Sequence, residues 1–577
     1  MIGSDEVLLK DDNNWLYFSQ PHCIISATSI EDVHGALQEV EKLVNSNNWH
    51  AAGFVSYEAA PAFDKAFHVQ TSTGFPLSWF GLYPKPRILK TSEVLRDPGG
   101  LDLKTDFQSH VTRENYNAAI DKVKEYIAQG KTYQVNYTMR LNSEFNGNEW
   151  NFFLNLAQSQ NKYAAYIDTG RHVICSASPE LFFKLDGNKI FSRPMKGTVK
   201  RGLTTEEDKE LADWLHNSIK NRAENVMIVD MIRNDLGRIA KIGSVHVPEL
   251  FIIEKYPTLL QMTSTVEAST SATMDEIFSA LFPCASITGA PKVSTMNIIA
   301  ELEATPRKLY TGSIGYISPN RKSQFSVAIR TTIIDRQDHL AEYGVGGGIV
   351  WDSTCADEYS EALLKARVLT DSPHEFSLIE TLLWTSSDGY FLREKHLARM
   401  QDSAEYFGFD FSRKFIEAYL DELAAPFPSP QRVKILLNRY GEIKSKTMSF
   451  EAQEKSFKVC LAKYPINSKD VFLYHKTTQR KIYDKALIVP QIYNDVLLYN
   501  EGYELTEFTI GNLVVEIDGG YFTPPISCGL LAGTFRASLL VAGKVKEKIL
   551  KVEDLNQCQK IFLINSVRKW VKVELMA

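Results

Sequence analysis

Two glutamates and a lysine lie at helical spacing in the segment DEYSEALLKARVL. Glu358, Glu361 and Lys365 occupy positions i, i+3 and i+7, so a helix places them on one face. A second predicted helix, KNRAENVMIVDMIRNDLG, contributes Glu224. If the helices converge, the three carboxylates could hold a hard divalent cation such as Mg²⁺, which prefers oxygen ligands. The alternative is a set of solvated ion pairs, because charged helix faces are common.

A lysine between a proline and a glycine is the candidate nucleophile of the first half. Lys196 lies in PMKGT, downstream of Glu180 in SPELFF. Desolvation lowers the pKa of a lysine and makes its amine nucleophilic, and a nearby carboxyl group can act as general acid for a departing hydroxyl. The alternative is a lysine on a surface strand, which the residues alone do not exclude.

Two segments could bind an anion through their backbone. The run GVGGG at 344–348 leaves its N–H groups unobstructed by side chains, although a plain turn is the more ordinary interpretation. Pro291 suits the first turn of a helix, whose N-terminal amides favour anions. A simple loop-to-helix cap explains that proline equally well.

The second half contains the residue types that pyridoxal phosphate requires. The cofactor needs a lysine for covalent attachment, a carboxylate for its pyridinium nitrogen and an anion-binding cup for its phosphate. Lys476, Glu507 and the pair Arg399 and Thr534 supply these types in that order. Two other lysines are equally eligible by composition: Lys481 and Lys485.

Composition excludes several classes of protein. The 577 residues are 44% hydrophobic and 23% charged, which is typical of a globular chain rather than a disordered or collagenous one. The formal net charge of −6 provides no bulk attraction for nucleic acid. The seven cysteines form no C-x-x-C pair, so we predict reduced thiols. With no recognisable leader or apolar span, we expect a cytoplasmic protein that binds neither nucleic acid nor membrane.

The elements that must position these residues fall into two units. From about residue 50 to Leu369, short apolar runs alternate with amphipathic stretches, which predicts large sheets covered by helices. The polar, proline-broken segment 371–375 is predicted to be a connector. Downstream, SLIETLLW and RVKILLN predict strands, and KHLARMQDSAEYFGF predicts a helix. We therefore predict an α+β protein with domains at 1–370 and 376–577.

Ordered motifs of the first half resemble the chorismate-utilising enzymes. They are YQVNYT, SASPELFF, PMKGT, NRAENVMIVDMIRNDLGR, TGAPK, GSIGYI and GVGGGIVWDS with a following glutamate and lysine. The resemblance implies a large two-sheet chorismate-binding domain. In this family the anthranilate and salicylate synthases have alanine where this chain has Lys196, and the lysine form resembles component I of aminodeoxychorismate synthase.

For the first domain, the resemblance implies a role for each matching residue. Lys196 is expected to add to C2 of chorismate while the C4 hydroxyl leaves with help from Glu180, after which ammonia enters at C4 and expels the lysine. The implied Mg²⁺ ligands are Glu224, Glu358 and Glu361. The implied substrate contacts are Thr198, Tyr316, Arg330, Gly347 and Lys365. Gln134 replaces the lysine that activates water in isochorismate-forming relatives, and an amide cannot act as that base.

One departure from the family pattern concerns pyruvate elimination. Gln261 stands where many relatives have a histidine. In the anthranilate-forming branch that histidine is associated with elimination of pyruvate. The resemblance therefore implies that any elimination by this chain takes place at another site.

The second half is similar to fold-type IV pyridoxal-phosphate enzymes, an α/β fold. The matching segments are IETLLW, GYFLREKHLARMQDSA, KTT, EFTIGN and GLLAGTFR, and among these enzymes the similarity is greatest to 4-amino-4-deoxychorismate lyase. The implied cofactor-binding residues are Lys476, Glu507, Arg399, Ile510 and Thr534. Lys476 is also the implied proton carrier, and Thr381 is expected near the substrate. The alternative for this half is an aminotransferase.

Together the two resemblances imply synthesis of 4-aminobenzoate from chorismate, with Mg²⁺ and pyridoxal phosphate as cofactors. No G-x-C-x-G nucleophile elbow surrounds any cysteine, so ammonia is expected from a separate glutamine amidotransferase subunit. A homodimer through the second domain is a further expectation. A hypothesis of a different class is that one half is a catalytically inactive scaffold.

Overall fold

The computed structural model describes residues 3–95, 105–159, 162–369, 376–451, 456–490 and 492–576. Contacts divide these residues into two units. The first unit lies within Met1–Lys200 and Ala212–Pro373, and the second within Arg201–Leu211 and His374–Ala577. The predicted connector at 371–375 lies outside the described residues. Among the helices of the described ranges, none has the length and apolar character needed to cross a membrane.

Strands and helices alternate along the first unit. The strands are β1 (Val7–Asp11), β2 (Asn14–Phe18), β3 (Cys23–Ala27), β4 (His50–Val55), β5 (Ser78–Tyr83), β6 (Arg87–Lys90), β7 (Gln108–Ser109), β8 (Gln134–Glu144), β9 (Tyr163–Asp168), β10 (His172–Ser178), β11 (Leu181–Asp186), β12 (Lys189–Arg193), β13 (Met195–Lys200), β14 (His246–Lys255), β15 (Leu259–Ser269), β16 (Gly289–Ala290), β17 (Ser313–Ser318), β18 (Lys322–Val327), β19 (Thr331–Asp335) and β20 (Leu340–Ile349). The helices of this part of the chain are α1 (Asp32–Asn47), α2 (Ala60–Phe63), α3 (Thr91–Val94), α4 (Arg113–Ala128), α5 (Glu149–Ser159), α6 (Thr205–Asn217), α7 (Ile219–Gly237), α8 (Met274–Leu281), α9 (Lys292–Leu302) and α10 (Cys355–Ala366). The beginning of α6, residues 205–211, is assigned to the second unit.

Two large sheets stack face to face in the first unit. Sheet A has the order β16-β8-β20-β19-β10-β9-β1-β2-β6, and sheet B has the order β13-β15-β12-β11-β18-β17-β4-β5-β3. Phe18 of sheet A and Phe54 of sheet B belong to one buried apolar cluster, so the inner faces share a core. The outer face of sheet A packs on α4, α5 and α9, and that of sheet B packs on α1, α7 and α8. This arrangement confirms the predicted α+β class with two large sheets.

The glycine run is a strand and not the turn that the sequence favours. Residues 344–348 lie inside β20, which pairs antiparallel with β8 and sets Gly347 opposite Tyr137. The glycines serve close packing. A Cβ atom at Gly346 would come within 2.2 Å of the Tyr137 carbonyl oxygen, and one at Gly344 within 2.2 Å of the Tyr310 ring.

The second unit has two further sheets. Its strands are β21 (Leu378–Thr385), β22 (Gly389–Tyr390), β23 (Gln431–Leu437), β24 (Ile443–Ser449), β25 (Phe457–Leu461), β26 (Asp495–Tyr499), β27 (Leu505–Phe508), β28 (Asn512–Ile517), β29 (Gly520–Thr523), β30 (Lys546–Glu547), β31 (Lys560–Asn565) and β32 (Lys569–Leu575). Its helices are α11 (Arg393–Phe407), α12 (Arg413–Ala424), α13 (Lys481–Ala486) and α14 (Thr534–Val541). The sheets have the orders β22-β21-β23-β24 and β27-β26-β25-β32-β31-β28-β29-β30. Strands β21 and β23 and helix α11 confirm the elements predicted from the three apolar patterns.

Candidate active sites

Lys196 reaches from sheet B toward the glycine strand of sheet A. It lies on β13, and a Cβ atom at Gly348 of β20 would be 3.0 Å from its Nζ atom and 2.8 Å from Nε2 of Gln134. Desolvation lowers the pKa of the Lys196 amine, and the nearby carboxylates, of which Glu224 acts most strongly, oppose that shift in part. A lysine with a lowered pKa has a larger neutral, nucleophilic fraction.

Glu180 is a buried carboxyl group near this lysine. It lies in the two-residue link between β10 and β11, and its Oε1 atom accepts a hydrogen bond from the Ser286 hydroxyl at 2.6 Å. Burial raises the pKa of Glu180 to about 7, although the Ser286 hydrogen bond and the charge of Lys196 lower it. Near neutral pH a substantial fraction of this carboxyl group is therefore protonated and able to donate a proton. Ser286 was not predicted, because its motif SITGAPK signals only a turn before a helix.

The side chain of Gln134 completes the group around Lys196. Gln134 is fully buried at the start of β8. Within the described residues, neither its Oε1 nor its Nε2 atom has a hydrogen-bond partner. A buried amide without partners is costly, so a polar ligand beside Lys196 would satisfy it.

Helix α10 presents the predicted acidic stripe. Thr354 caps the helix, since its Oγ1 atom accepts a hydrogen bond from the Asp357 N–H at 3.2 Å. Lys365 pairs with Glu361 at 2.8 Å and donates to the Gly346 carbonyl oxygen at 2.9 Å, which ties the stripe to β20. A Cβ atom at Gly347 would lie 3.0 Å from Oε2 of Glu358, so the predicted residues Gly347, Glu358 and Lys365 are brought together.

Two of the three predicted Mg²⁺ ligands, Glu358 and Glu361, lie close enough on α10 for the charge of one to affect the other. Burial raises the pKa of Glu358, and the negative charge of Glu361 raises it further. Burial also acts to raise the pKa of Glu361, but Lys365 lowers it overall. Among the residues that the structure describes, no three His, Cys, Asp or Glu side chains are arranged to hold a metal ion. The set with Glu224 stays a prediction.

Thr198 and Gln261 are bonded to each other. The Thr198 hydroxyl donates to Oε1 of Gln261 at 2.8 Å, and Nε2 of Gln261 donates to the Gly197 carbonyl oxygen at 2.9 Å. Gln261 therefore fixes, by hydrogen bonds, the two residues of β13 that follow Lys196. An amide in this place has no proton-transfer role comparable to that of a histidine.

One predicted substrate contact, Tyr316, lies apart from this group. The Tyr316 hydroxyl donates to Asp11 at 3.2 Å, and the ring lines a separate small cavity with Lys10 and Gln324. Lys196 and Glu180 do not line that cavity, so the structure does not bring Tyr316 together with them. Arg330 follows β18 with a positive φ of 52°, and burial lowers the pKa of its guanidinium.

In the second unit, Lys476 lies beside β21. Its carbonyl oxygen accepts a hydrogen bond from the Ile379 N–H at 2.8 Å. Desolvation lowers the pKa of the amine to about 8, with Arg399 and Arg480 adding to the effect and Glu380 and Glu507 opposing it. By contrast, both alternative lysines are exposed on α13: Lys481 and Lys485.

Glu507 is a buried carboxyl group held by three donors. Its Oε1 atom accepts from the Tyr483 hydroxyl at 2.8 Å and the Leu531 N–H at 3.2 Å, and its Oε2 atom accepts from Nδ2 of Asn512 at 3.1 Å. Burial raises its pKa to about 7, although the hydrogen bonds from Tyr483 and Leu531 and the charge of Lys476 lower it. A cationic ring nitrogen would stabilise this carboxylate, which fits the donor set that pyridoxal phosphate requires. Neither Tyr483 nor Asn512 was predicted from the sequence.

The residues predicted to bind the cofactor phosphate lie on separate helices and turns. Arg399 lies on α11, and Thr534 is the first residue of α14, where free backbone N–H groups favour an anion. Arg399 reaches the segment before α14, since its Nη1 atom donates to the Ala532 carbonyl oxygen at 3.0 Å. Ile510 is exposed in the turn between β27 and β28. The Thr381 carbonyl oxygen accepts from the Ser566 hydroxyl at 3.3 Å.

Comparison with known proteins matches each half of the chain to a family model. Residues 377–576 match the model for amino-transferase class IV, and residues 5–371 match the model for chorismate binding enzyme. Aminodeoxychorismate synthase component 1 of Escherichia coli K12 is 43% identical over 267 residues, which cover 46% of this chain and 58% of that protein. Anthranilate synthase component 1 of Aquifex aeolicus is 39% identical over 267 residues, covering 46% and 54%. The match therefore spans little more than half of these relatives.

The fold of the first unit is also found in a solved structure. Anthranilate synthase component I from Streptococcus pneumoniae superposes with a TM-score of 0.55 and 26% sequence identity, over 63% of this chain and 93% of that one. The family resemblances drawn from the motifs are confirmed for both halves. Since the first family model matches well over half of the 577 residues, this chain belongs to the chorismate binding enzymes.

Proposed function

We propose that this chain converts chorismate into 4-aminobenzoate in two steps. The first unit aminates chorismate at C4 to 4-amino-4-deoxychorismate, and the second eliminates pyruvate from that product. The observation that carries the first step is the placement of the Lys196 amine beside Gln134 and near the protonated Glu180. The similarity to the Escherichia coli component 1 supports the same reaction.

In the first step, Lys196 acts at one end of the conjugated ring diene of chorismate and Glu180 acts on the hydroxyl next to its other end, so that both double bonds shift. The neutral amine forms a bond to C2 of chorismate while Glu180 protonates the C4 hydroxyl, which leaves as water. Ammonia then forms a bond to C4, and the C2–Nζ bond breaks to release Lys196. The unpartnered amide of Gln134 is in a position to hydrogen-bond the substrate in this site. Thr198, Arg330, Gly347 and Lys365 are proposed to contact the substrate.

Mg²⁺ is proposed to bind Glu224, Glu358 and Glu361. The donor chemistry fits, because carboxylates are the ligands that this hard cation prefers. The raised pKa of Glu358 beside Glu361 marks a carboxylate pair that a cation would stabilise. When bound, the ion would supply positive charge for the substrate carboxylates.

Pyridoxal phosphate is proposed to bind the second unit through Lys476, Glu507, Arg399, Ile510 and Thr534. When bound, the cofactor supplies an electron sink for the carbanion that forms when the substrate loses a proton. With a pKa of about 8, Lys476 can accept and return that proton near neutral pH. Glu507 provides the negative charge at the ring nitrogen, and Thr381 is proposed to lie near the substrate.

The remaining partners and boundaries are proposals as well. Ammonia is proposed to come from a separate glutamine amidotransferase subunit, which agrees with the description of the relatives as component 1. We place the domain boundary at the segment 371–375, and we propose a homodimer through the second unit and a cytoplasmic location.

A product assay tests the proposal. The purified chain is incubated with chorismate, Mg²⁺ and ammonium, with and without pyridoxal phosphate, and products are separated by chromatography. We expect 4-aminobenzoate and pyruvate only when the cofactor is present, and 4-amino-4-deoxychorismate when it is absent. Lys476→Ala should behave like the chain without cofactor, and Lys481→Ala serves as the matched control. Anthranilate or salicylate as the main product would contradict the proposal.

An aminotransferase is the second candidate for the C-terminal half, because residues 377–576 match the amino-transferase class IV model. This candidate predicts consumption of a 2-oxo acid and an amino acid by the chain loaded with pyridoxal phosphate. The same preparation would then convert added 4-amino-4-deoxychorismate no faster than buffer. If the half were an inactive scaffold, neither reaction would occur.

A further inference from the structure

A buried carboxylate links two predicted phosphate residues of the second unit. Glu380 lies on β21, and its Oε1 and Oε2 atoms accept from Nε and Nη2 of Arg399 at 2.9 and 2.7 Å. Its Oε2 atom also meets Nδ1 of His396 at 2.5 Å. The side chains of Glu380 and His396 are both 1% exposed, so this network is shielded from solvent. None of the roles assigned so far uses Glu380 or His396.

The geometry leaves part of the Arg399 guanidinium available. Arginine has five N–H donors. Two of them face Glu380 in a bidentate pair, and a third, on Nη1, donates to the Ala532 carbonyl oxygen. Within the described ranges, one donor therefore remains on each terminal nitrogen. The bidentate pair fixes the plane of the guanidinium, and hence the direction of these two remaining donors.

His396 forms a hydrogen-bonded bridge between the Glu380 carboxylate and the first residue of α14. The Arg399 guanidinium, assisted by the His396 hydrogen bond, keeps the pKa of Glu380 at about 2 although burial acts to raise it, so this carboxylate is ionised and only accepts hydrogen bonds. The His396 proton therefore lies on Nδ1. The opposite nitrogen, Nε2, is 3.2 Å from Oγ1 of Thr534. His396 thus fixes the side chain of the first residue of α14.

We infer that Glu380 is a positioning residue for the cofactor phosphate. It orients Arg399 directly and the N-terminal turn of α14 through His396, so that donors from two helices converge on one dianion. The inference rests on the proposed binding of pyridoxal phosphate. A purely structural role for the network would stabilise the fold without any preference for the phosphate group.

The test compares two ligands that differ only in the phosphate. The full chain without cofactor is titrated with pyridoxal phosphate and with pyridoxal, and binding is followed by visible absorbance. We expect Glu380→Gln to reduce the ratio of the two affinities by about tenfold or more, because the new amide directs an N–H group at the guanidinium. His396→Gln should lower the ratio less. Asp421→Asn is the control, since Asp421 pairs with Arg393 of the same α11 at 2.7 Å on the exposed side.

The outcomes separate the inference from the proposed function. If the unaltered chain binds pyridoxal phosphate no better than pyridoxal, both the cofactor proposal and the inference fail. If it prefers pyridoxal phosphate and both variants keep the same ratio, only the inference is overturned. Should Glu380→Gln not fold, Glu380→Asp decides, because it keeps the negative charge while its shorter side chain cannot hold Arg399 in the same bidentate geometry. An unchanged ratio in that variant would then overturn the positioning role.

Discussion

Gly348→Ala should impair amination of chorismate without unfolding the chain. The added Cβ atom would lie 3.0 Å from Nζ of Lys196 and 2.8 Å from Nε2 of Gln134, whereas ordinary contact begins at 3.4 Å. Both neighbours are the ends of flexible side chains, so they are expected to move while the strand stays in place. The Lys196 amine must retreat by about 0.4 to 1 Å. Because a misplacement of about 1 Å can cost about a hundredfold in rate, kcat/KM should fall roughly 10- to 100-fold.

The assay follows formation of 4-amino-4-deoxychorismate from chorismate and ammonium in the absence of pyridoxal phosphate. Gly35→Ala is the matched control, because nothing lies within 4 Å of its Cβ position on α1. That control should retain full activity and be slightly more stable, as alanine favours a helix. A Gly348→Ala variant with kcat/KM within twofold of the unaltered chain would refute the idea that Lys196 acts at the position described.

Three further predictions concern the first unit. Lys196→Ala should abolish amination at C4, since alanine cannot form the C2 bond; unchanged product formation would remove the nucleophile role. Glu361→Gln should raise the Mg²⁺ concentration needed for half-maximal activity, and superimposable metal titrations would favour the solvated-face alternative. Arg307→Met should destabilise the fold by about 3 to 5 kcal/mol in urea unfolding, because it breaks a buried pair with Glu303. Lys42→Met is the control, because it breaks an exposed pair with Glu39 and should lower the free energy of unfolding by at most about 1 kcal/mol. Equal losses of stability in the two variants would contradict the prediction.

The sequence predicts helices and strands better than it predicts the side-chain contacts between them. Helical spacing alone places Glu358, Glu361 and Lys365 on one face, and α10 bears that out. The hydroxyl of Ser286 contacts Glu180 across 106 positions of sequence, and no local pattern encodes such a contact. The glycine strand differs from the expected turn for a similar reason. Glycine clusters signal turns locally, whereas here small residues are required by β8 at Gly346 and by the Tyr310 ring at Gly344.

Residue roles taken from resemblance differ in how well the geometry supports them. Lys196, Gly347 and Lys365 lie around one strand, β20, as a shared site requires. Tyr316 carries the same kind of motif evidence, yet its hydroxyl is bonded to Asp11 in a separate cavity. Tyr316 lies on β17, which is separated from β13 of Lys196 by four strands of sheet B, so a shared inner face does not bring the two residues together.

The link between β10 and β11 makes the first active site sensitive to sliding of the two sheets. Pro179 and Glu180 form the whole connection, and because β10 belongs to sheet A and β11 to sheet B, Glu180 is attached to both sheets. Gln134 belongs to sheet A, and Lys196 belongs to sheet B. A shear of the inner faces therefore changes the distances among acid, amide and amine at once. Distant substitutions in the shared core, as at Phe18 or Phe54, are then expected to alter turnover before they alter substrate affinity.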